Sequence, residues 1–228
     1  MLMMDFAEAR KKMVDSQLRT EDVTDYAILA AMAEVPRERF VPVELQALAY
    51  IDEDILVKAP AGGAPARYLM EPAPFARLLQ VAEISPGDLV LDVGCATGYS
   101  AAVLAKLARA VVALEADPSL AAAAGETLRG LGVANVSVVA GPLELGYKSG
   151  GPYDVYDVIV VEGAVEFVPP DLFDQLADNG RLVAVVGYGR SASAMVYTKS
   201  NDDIGGRSAF DAHVRPLPGF RKPAAFVF

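Results

Sequence analysis

The sequence has no tryptophan, one cysteine and one histidine among its 228 residues. A single cysteine, Cys95, excludes a disulfide within the chain and favours a reducing compartment. A single histidine, His213, excludes a site built from several histidine ligands, and no metal is predicted. Basic residues are also scarce: 20 Lys and Arg stand against 30 Asp and Glu, for a net charge of −10. This balance argues against a nucleic-acid partner, which needs a basic surface.

Long apolar runs are absent as well. None reaches the roughly 20 residues that span a bilayer, and no predicted helix clusters Lys and Arg as membrane-surface helices do. The N-terminal stretch, interrupted by Asp5 and Glu8, lacks the basic flank and apolar core of a signal peptide. We therefore expect a cytoplasmic protein without a membrane partner. With 53% hydrophobic residues, the chain can bury one sizeable core.

The chain changes texture near residue 88. Residues 5–50 predict helices, the second of them capped by Thr24, and Phe75, Leu78 and Leu79 predict another helix. Between them lies the segment 58–72, KAPAGGAPARYLMEP, whose glycines and prolines break any regular pattern. It is compatible with a linker or with a loop over a site. From residue 88, apolar β-rich runs alternate with Ala/Leu-rich helical ones, which predicts a parallel sheet covered on both faces.

The predicted strands of that sheet are short and mostly apolar. They cover residues 89–93, 110–116, 136–140, 156–163, 181–189 and 193–199, and the run 224–228 predicts a terminal edge strand. A surface loop is expected at 200–207. Glu162, near the end of a core strand, is as compatible with a cleft position as with a packing position.

The segment LVLDVGCATGYSAAVLA carries the strongest chemical signal. A buried strand enters the turn Gly94–Gly98, and a helix begins directly behind it, as in sites that bind carboxylate or hydroxyl oxygens. The following strand ends in Glu115, whose carboxylate can accept hydrogen bonds from the two hydroxyls of a ribose. Strand, turn, helix and distal acid together favour a nucleotide cofactor over a turn without a ligand.

Two nucleotide patterns compete for this turn. A dinucleotide fingerprint requires glycine at 94, 96 and 99, and only Gly94 matches. The G-x-G-x-G form usual for S-adenosylmethionine matches at Gly94 and Gly98, with Ala96 as the mildest replacement. A phosphate-binding P-loop is excluded, because no Gly-Lys-Ser/Thr follows. The pattern therefore favours S-adenosylmethionine over a nicotinamide cofactor.

Several further segments resemble the protein-L-isoaspartate O-methyltransferase family. They are MVDSQLR at 13–19, AMAEVPRERFVP at 31–42, AYIDEDILV at 49–57, the cofactor turn itself, and NGRLVAVVG at 179–187. The resemblance implies a Rossmann-like class I methyltransferase fold, in the α/β class, with a mostly parallel sheet, helices on both faces and an N-terminal helical extension. It implies one domain over 1–228, with the helical region and substrate loop at 1–72 and the cofactor-binding core at 73–228.

The resemblance also implies transfer of a methyl group from S-adenosylmethionine to a carboxylate of a damaged protein or peptide. The implied cofactor-binding positions are Asp92, Gly94, Cys95, Thr97, Gly98, Tyr99, Glu115, Ala116, Pro142 and Leu143. Cys95 is interpreted as a packing residue of the turn and not as a nucleophile, since no base lies near it in sequence.

Two positions depart from the family pattern. The family's substrate segment ends Gly-Gln-Thr-Ile-Ser-Gln-Pro, whereas this chain reads Arg67-Tyr68-Leu69-Met70-Glu71-Pro72. Arg67, Tyr68 and Met70 are therefore the candidate substrate-loop residues, although Met cannot donate a hydrogen bond. Pro142 occupies the position at which the family usually has an acidic residue that binds the adenine. Three hypotheses remain open: an isoaspartyl methyltransferase, a methyltransferase with another acceptor, and a catalytically silent cofactor-binding module.

Overall fold

The structure is a computed structural model that describes residues 5–151, 154–201 and 203–221. The predicted edge strand at 224–228 lies outside the described residues. No helix in these three ranges is long and apolar enough to cross a bilayer.

Helices and short turns form the N-terminal region. Helix α1 spans Phe6–Met13 and continues as a π-helical turn, Val14–Leu18, and helix α2 spans Tyr26–Glu34. Asp25, not Thr24 as predicted, caps α2: its carboxylate accepts from the amides of Ala27 and Ile28. The 3-10 turns Arg37–Phe40 and Val43–Leu48 follow. The buried faces of these helices share one apolar cluster with the central sheet.

The segment after these turns folds into a two-stranded antiparallel ribbon. Strand β1 spans Ile55–Lys58 and strand β2 spans Arg67–Leu69, with Leu56 opposite Tyr68. Gly62 and Gly63, both at positive φ, lie in the connection between them. The stretch 58–72 is therefore largely a hairpin, and its last residues lead into helix α3, Pro72–Ala82.

A seven-stranded sheet forms the core, in the order β5-β4-β3-β6-β7-β8-β9. Its strands are β3 Leu89–Val93, β4 Ala110–Glu115, β5 Val136–Ala140, β6 Tyr156–Val165, β7 Leu176–Val186, β8 Ser193–Ser200 and β9 Asp203–Asp211. The first five of these are parallel, and β8 and β9 are antiparallel additions. Helices α4 Tyr99–Leu107, α5 Pro118–Gly130 and α6 Pro170–Asp174 connect the parallel strands. The mostly parallel sheet confirms the predicted fold class.

One prediction within the sheet is wrong. Most of the expected loop at 200–207 is strand: β9 begins at Asp203, and its first residues pair with the end of β8. Glycine at 205 and 206 concealed this edge strand, because glycine is depleted in strands. At Gly206 a side chain would meet the Tyr197 ring, since an added Cβ would lie 2.8 Å from it.

Candidate functional site

The carboxyl ends of β3, β4 and β6 bring three acidic residues to the same edge of the sheet. Asp92 lies on β3, Glu115 ends β4, and Glu162 lies near the end of β6. In parallel sheets this edge forms the ligand-binding crevice. The turn and the acid that the sequence analysis singled out, Gly94–Gly98 and Glu115, lie at this edge.

The turn between β3 and α4 has the expected tight geometry. Gly94 and Gly98 have φ of 90° and 93°, and Ala96 also has a positive φ, 48°. Around Gly98 the packing is close, because an added Cβ would lie 3.1 Å from the Ala124 side chain. Glycine is needed at 98 both for backbone conformation and for the approach of helix α5.

The amides of this turn are directed at acceptors within the chain. Those of Gly94 and Cys95 donate to the Leu114 carbonyl at 2.8 and 3.2 Å. The Ala96 amide donates to Glu115 Oε2 at 2.8 Å, and the Gly98 amide donates to the Cys95 carbonyl. The turn therefore wraps around the chain's own carboxylate.

Glu115 is fully buried and has four donors. The Arg67 guanidinium contacts both carboxylate oxygens, with Nη2 at 2.6 Å from Oε2 and Nε at 3.2 Å from Oε1. The amide of Asp117 adds a bond of 3.1 Å to Oε1, and that of Ala96 bonds Oε2. Arg67 Nη2 also donates to the Gly94 carbonyl at 3.0 Å. The predicted ribose acceptor is thus bound by a side chain of the substrate loop.

Three other predicted cofactor residues have side chains that are buried or bonded within the chain. Cys95 is buried, and burial raises the pKa of its thiol, which suits a packing role. The Thr97 hydroxyl donates to the Phe40 carbonyl at 2.6 Å. Tyr99 packs under the N-terminal region, with its ring 4.7 Å from the Arg37 guanidinium. A cofactor at this turn would therefore meet their backbone.

The remaining predicted cofactor residues divide between core and surface. The Asp92 carboxylate is buried and accepts from the Ser100 hydroxyl at 2.7 Å. Burial raises the pKa of Asp92 and also that of Glu162, so each holds its proton more tightly than in water. Ala116 and Pro142 are exposed next to the ends of β4 and β5, whereas Leu143 is buried in the apolar cluster.

A narrow cavity of about 10 Å³, room for about one water molecule, lies beside Arg67. Its lining includes Tyr68, Met70, Glu162, Asp54 and Arg215. Arg215 lies over the Tyr68 ring at 5.1 Å, and its Nε is 3.6 Å from the Asp54 carboxylate. All three predicted substrate-loop residues thus line the cavity, and the Arg67 head group also contacts Glu115.

Sequence reasoning missed Asp54, Arg215 and Leu217. An added Cβ on Gly94 would lie 2.7 Å from Leu217 Cδ1, so this side chain covers the turn. The segment carrying it runs along the end of β6, where Ala164 exchanges backbone hydrogen bonds with Arg215 and Leu217. The prolines at 216 and 218 were the available signal, because they favour an extended backbone at the residues before them, but no local pattern placed Leu217 at Gly94.

Glu71 lies in a strongly acidic surrounding at the end of the substrate loop. Burial first, and then neighbouring carboxylates, raises the pKa of Glu71 to about 7. These carboxylates belong to Asp52, Asp54, Glu21 and Glu53. The folded chain therefore binds this proton more tightly than the unfolded chain does, and stability is lost as pH rises from about 4.5 to about 7.

Replacing the Glu71 carboxyl by an amide should remove the loss of stability at higher pH. Glu71→Gln is expected to match the wild type near pH 4.5 and to exceed its free energy of unfolding by about 1 kcal/mol at pH 8, after allowing for solvent screening. Urea unfolding at both pH values measures the difference, with Glu44→Gln on an exposed turn as control. An equal effect of Glu71→Gln at the two pH values would contradict the assigned proton.

The residue types suit S-adenosylmethionine, but their conformation leaves little room for it. Glycines, a ribose acid and an open strand edge are present, as this cofactor requires. However, the Arg67 guanidinium is ion-paired with the Glu115 carboxylate, and the Leu217 side chain covers Gly94. Among the described residues, no group of three or more His, Cys, Asp or Glu side chains is placed to hold a metal ion.

Comparisons with known proteins point to a single family. The model of the Protein-L-isoaspartate(D-aspartate) O-methyltransferase family matches residues 8–215. A protein-L-isoaspartate O-methyltransferase of Koribacter versatilis is 38% identical, over 94% of this chain and 92% of its own length. One from Gloeobacter violaceus is 40% identical, over 90% of this chain and 96% of its own length.

Solved structures agree with the sequence comparisons. A protein-L-isoaspartate O-methyltransferase structure has a TM-score of 0.77 at 26% identity, covering 92% of this chain and 67% of the other. A Plasmodium falciparum beta-aspartate methyltransferase in complex with S-adenosyl-L-homocysteine has a TM-score of 0.74 at 21% identity and covers 92% of this chain and 98% of its own. The second likeness bears on the fold alone.

Proposed function

The chain belongs to the protein-L-isoaspartate(D-aspartate) O-methyltransferase family, and we propose that it transfers a methyl group from S-adenosylmethionine to a carboxylate of an isoaspartyl residue in a damaged protein or peptide. The observation that carries this proposal is the family match over residues 8–215, which includes the Gly94–Gly98 turn and Glu115. We further propose that residues 1–228 act as one cytoplasmic unit, with 1–72 supplying the substrate loop and 73–228 the cofactor site.

The proposed cofactor site lies at the ends of β3 and β4. Gly94 and Gly98 would let the cofactor approach the backbone, and Glu115 would accept from the ribose. Ala116 and Pro142, exposed at neighbouring strand ends, would border the adenine. S-adenosylmethionine, when bound, supplies a methyl group already activated by its sulfonium, so the chain's own task is to align the acceptor and exclude water.

The cavity beside Arg67 is the proposed acceptor site. A carboxylate with a pKa near ~4 is ionised at neutral pH and needs no strong base. Arg215 supplies a positive charge at this cavity, and the Tyr68 side chain lies beneath it. Burial raises the pKa of both Asp54 and Glu162, which makes the cavity less negative than its residues suggest. An anionic acceptor is therefore compatible with the charges at the cavity, which has to widen from about 10 Å³ to admit a side chain.

A methyl-transfer assay tests this function. With labelled S-adenosylmethionine, the wild-type protein should form methyl ester on an isoaspartyl peptide and none on the matched aspartyl peptide. The matched peptide has the same composition and charge, so it controls for methylation that does not depend on the isopeptide linkage. Ester formation no higher than that of a blank without enzyme would contradict the proposed acceptor.

A second candidate is a family methyltransferase with another acceptor. Met70 favours it, because the side chain is buried and cannot donate a hydrogen bond to a carboxylate. Its backbone carbonyl accepts from Arg37, which fixes the position of the residue. In the same assay this candidate predicts no ester on the isoaspartyl peptide but label on other proteins.

A further inference from the structure

We propose that Arg67 is an internal competitor for the cofactor site: its guanidinium occupies the position of the cofactor ribose and must leave Glu115 before S-adenosylmethionine binds. This inference rests on the proposed function, because it assigns Glu115 to the ribose. Beyond the proposed function, it states that the cleft has a closed state, which Arg67 of the proposed substrate loop maintains.

The contacts of Arg67 are with the atoms that a cofactor would need. Nε and Nη2 donate to the two carboxylate oxygens of Glu115 at 3.2 and 2.6 Å, and Nη2 also donates to the Gly94 carbonyl at 3.0 Å. A ribose would present its two hydroxyls to the same pair of oxygens. Each carboxylate oxygen therefore accepts one backbone amide and one nitrogen of Arg67, so ribose hydroxyls would have to replace the Arg67 donors.

Burial makes this competition strong. The side chain of Arg67 is 6% exposed and that of Glu115 is 0% exposed. A charged, bidentate pair in this setting has shorter and stronger hydrogen bonds than neutral groups form. Separating the pair without a substitute partner is strongly unfavourable, since it leaves two buried charges uncompensated. A cofactor must therefore replace the guanidinium at Glu115 and let Arg67 reach solvent.

The ribbon that carries Arg67 is held over the cleft by a second ion pair. Lys58 on β1 bonds the carboxylate of Asp117, which caps helix α5, and also contacts the Ser119 hydroxyl at 2.7 Å. Both strands of the ribbon are thus attached to the end of β4 and the helix after it. The glycine-containing connection at 62–63 is exposed, and a Cβ added at either glycine would meet nothing within 4 Å, so the tip of the ribbon has space to move when the contacts at its base are released.

Leu217 completes the closed arrangement on the other side of the turn. Its Cδ1 lies where a Cβ on Gly94 would come within 2.7 Å, and Arg67 Nη2 would be 3.4 Å from the same point. The space in front of Gly94, which glycine leaves for a ligand, is therefore filled by two side chains. The Leu217 contact is made by the end of a flexible side chain, which a change of rotamer can withdraw. Arg67 is the charged contact, and its ion pair with Glu115 is therefore the main obstacle to cofactor binding.

Calorimetric titration with S-adenosylhomocysteine tests the competition directly. Arg67→Gln removes the charge and keeps a polar side chain at the position. If nine-tenths or more of the wild type is closed, the variant should bind at least about tenfold more tightly, because a closed fraction reduces apparent affinity in proportion. Arg207→Gln makes the same charge change on the exposed part of β9, far along the sheet, and should bind as the wild type does.

The outcomes separate this inference from the proposed function. Equal or weaker binding by Arg67→Gln would overturn the inference, and methyl transfer by the wild type would then leave the function standing. Absence of both binding and transfer in either protein would overturn both. Should Arg67→Gln fail to fold, trypsin digestion of the wild type decides: saturating S-adenosylhomocysteine should accelerate cleavage after Arg67, and unchanged or slower cleavage would overturn the inference.

Discussion

Glu115→Ala is expected to lower the free energy of unfolding by about 3–5 kcal/mol, a large part of the roughly 5–15 kcal/mol available to a domain. The substitution leaves the Arg67 guanidinium buried without its counter-charge. It also removes the acceptor of the Ala96 and Asp117 amides. Urea unfolding followed by circular dichroism measures the change.

Two controls separate the buried pair from a general effect of charge. Glu8→Ala removes an exposed partner of Lys12 on α1 and should change stability by less than about 0.5 kcal/mol. Arg67→Met combined with Glu115→Gln removes both charges but keeps side-chain volume and an amide acceptor, so it should be less destabilised than Glu115→Ala alone. A loss below about 1 kcal/mol for Glu115→Ala would contradict the burial of this pair.

Arg37→Ala should be similarly damaging, at about 4 kcal/mol. Arg37 is fully buried, and its Nε and Nη2 donate to the carbonyls of Ala49 and Met70 at 2.8 and 2.7 Å. Its guanidinium also stacks near the Tyr99 ring. Truncation leaves two buried carbonyls without donors and opens a cavity between the N-terminal turn and the substrate loop.

The adjacent turn provides a matched control for this truncation. Arg39 lies in the same 3-10 turn but is exposed, so Arg39→Ala should change stability by about 0.5 kcal/mol or less. Arg37→Lys should recover part of the loss, because a lysine can donate to one of the two carbonyls. Thermal unfolding of the three variants distinguishes them. Equal losses for Arg37→Ala and Arg39→Ala would show that the buried bonds contribute little.

The position of Arg37 explains what the segment VPRERFVP does in the structure. Arg37 ties Met70, which follows strand β2, to Ala49 in the N-terminal region. Phe40 accepts the Thr97 hydroxyl bond through its carbonyl. This segment therefore fixes the end of the β1–β2 ribbon and the turn at 94–98 relative to each other.

Local patterns were sufficient to predict most of the fold. The apolar strands β3, β4 and β6 and the helices behind them have strong, short-range signals, and the predicted turn at 94–98 is where the structure has it. Edge elements were harder. Strand β9 contains two glycines, and the ribbon of β1 and β2 lies in a segment rich in glycine and proline, so neither has the composition of a strand.

The candidate site was predictable in position but not in conformation. Strand ends and glycines placed it near Gly94 and Glu115, because these signals lie within one stretch of sequence. The contact between Arg67 and Glu115 joins residues 48 positions apart, and Leu217 reaches Gly94 from the far end of the chain. No periodicity in the sequence encodes such contacts, which depend on how the ribbon and the C-terminal segment pack.

The proposed activity is tested most directly by incubating the wild-type protein with methyl-labelled S-adenosylmethionine and a protein extract. Methyl esters of carboxylates hydrolyse in mild alkali, whereas methyl groups on nitrogen do not, so release of label by alkali identifies the acceptor chemistry without assuming its identity. We predict alkali-labile label well above a blank without enzyme. No label with the wild type, and none with Arg67→Gln under the same conditions, would contradict methyl transfer by this chain.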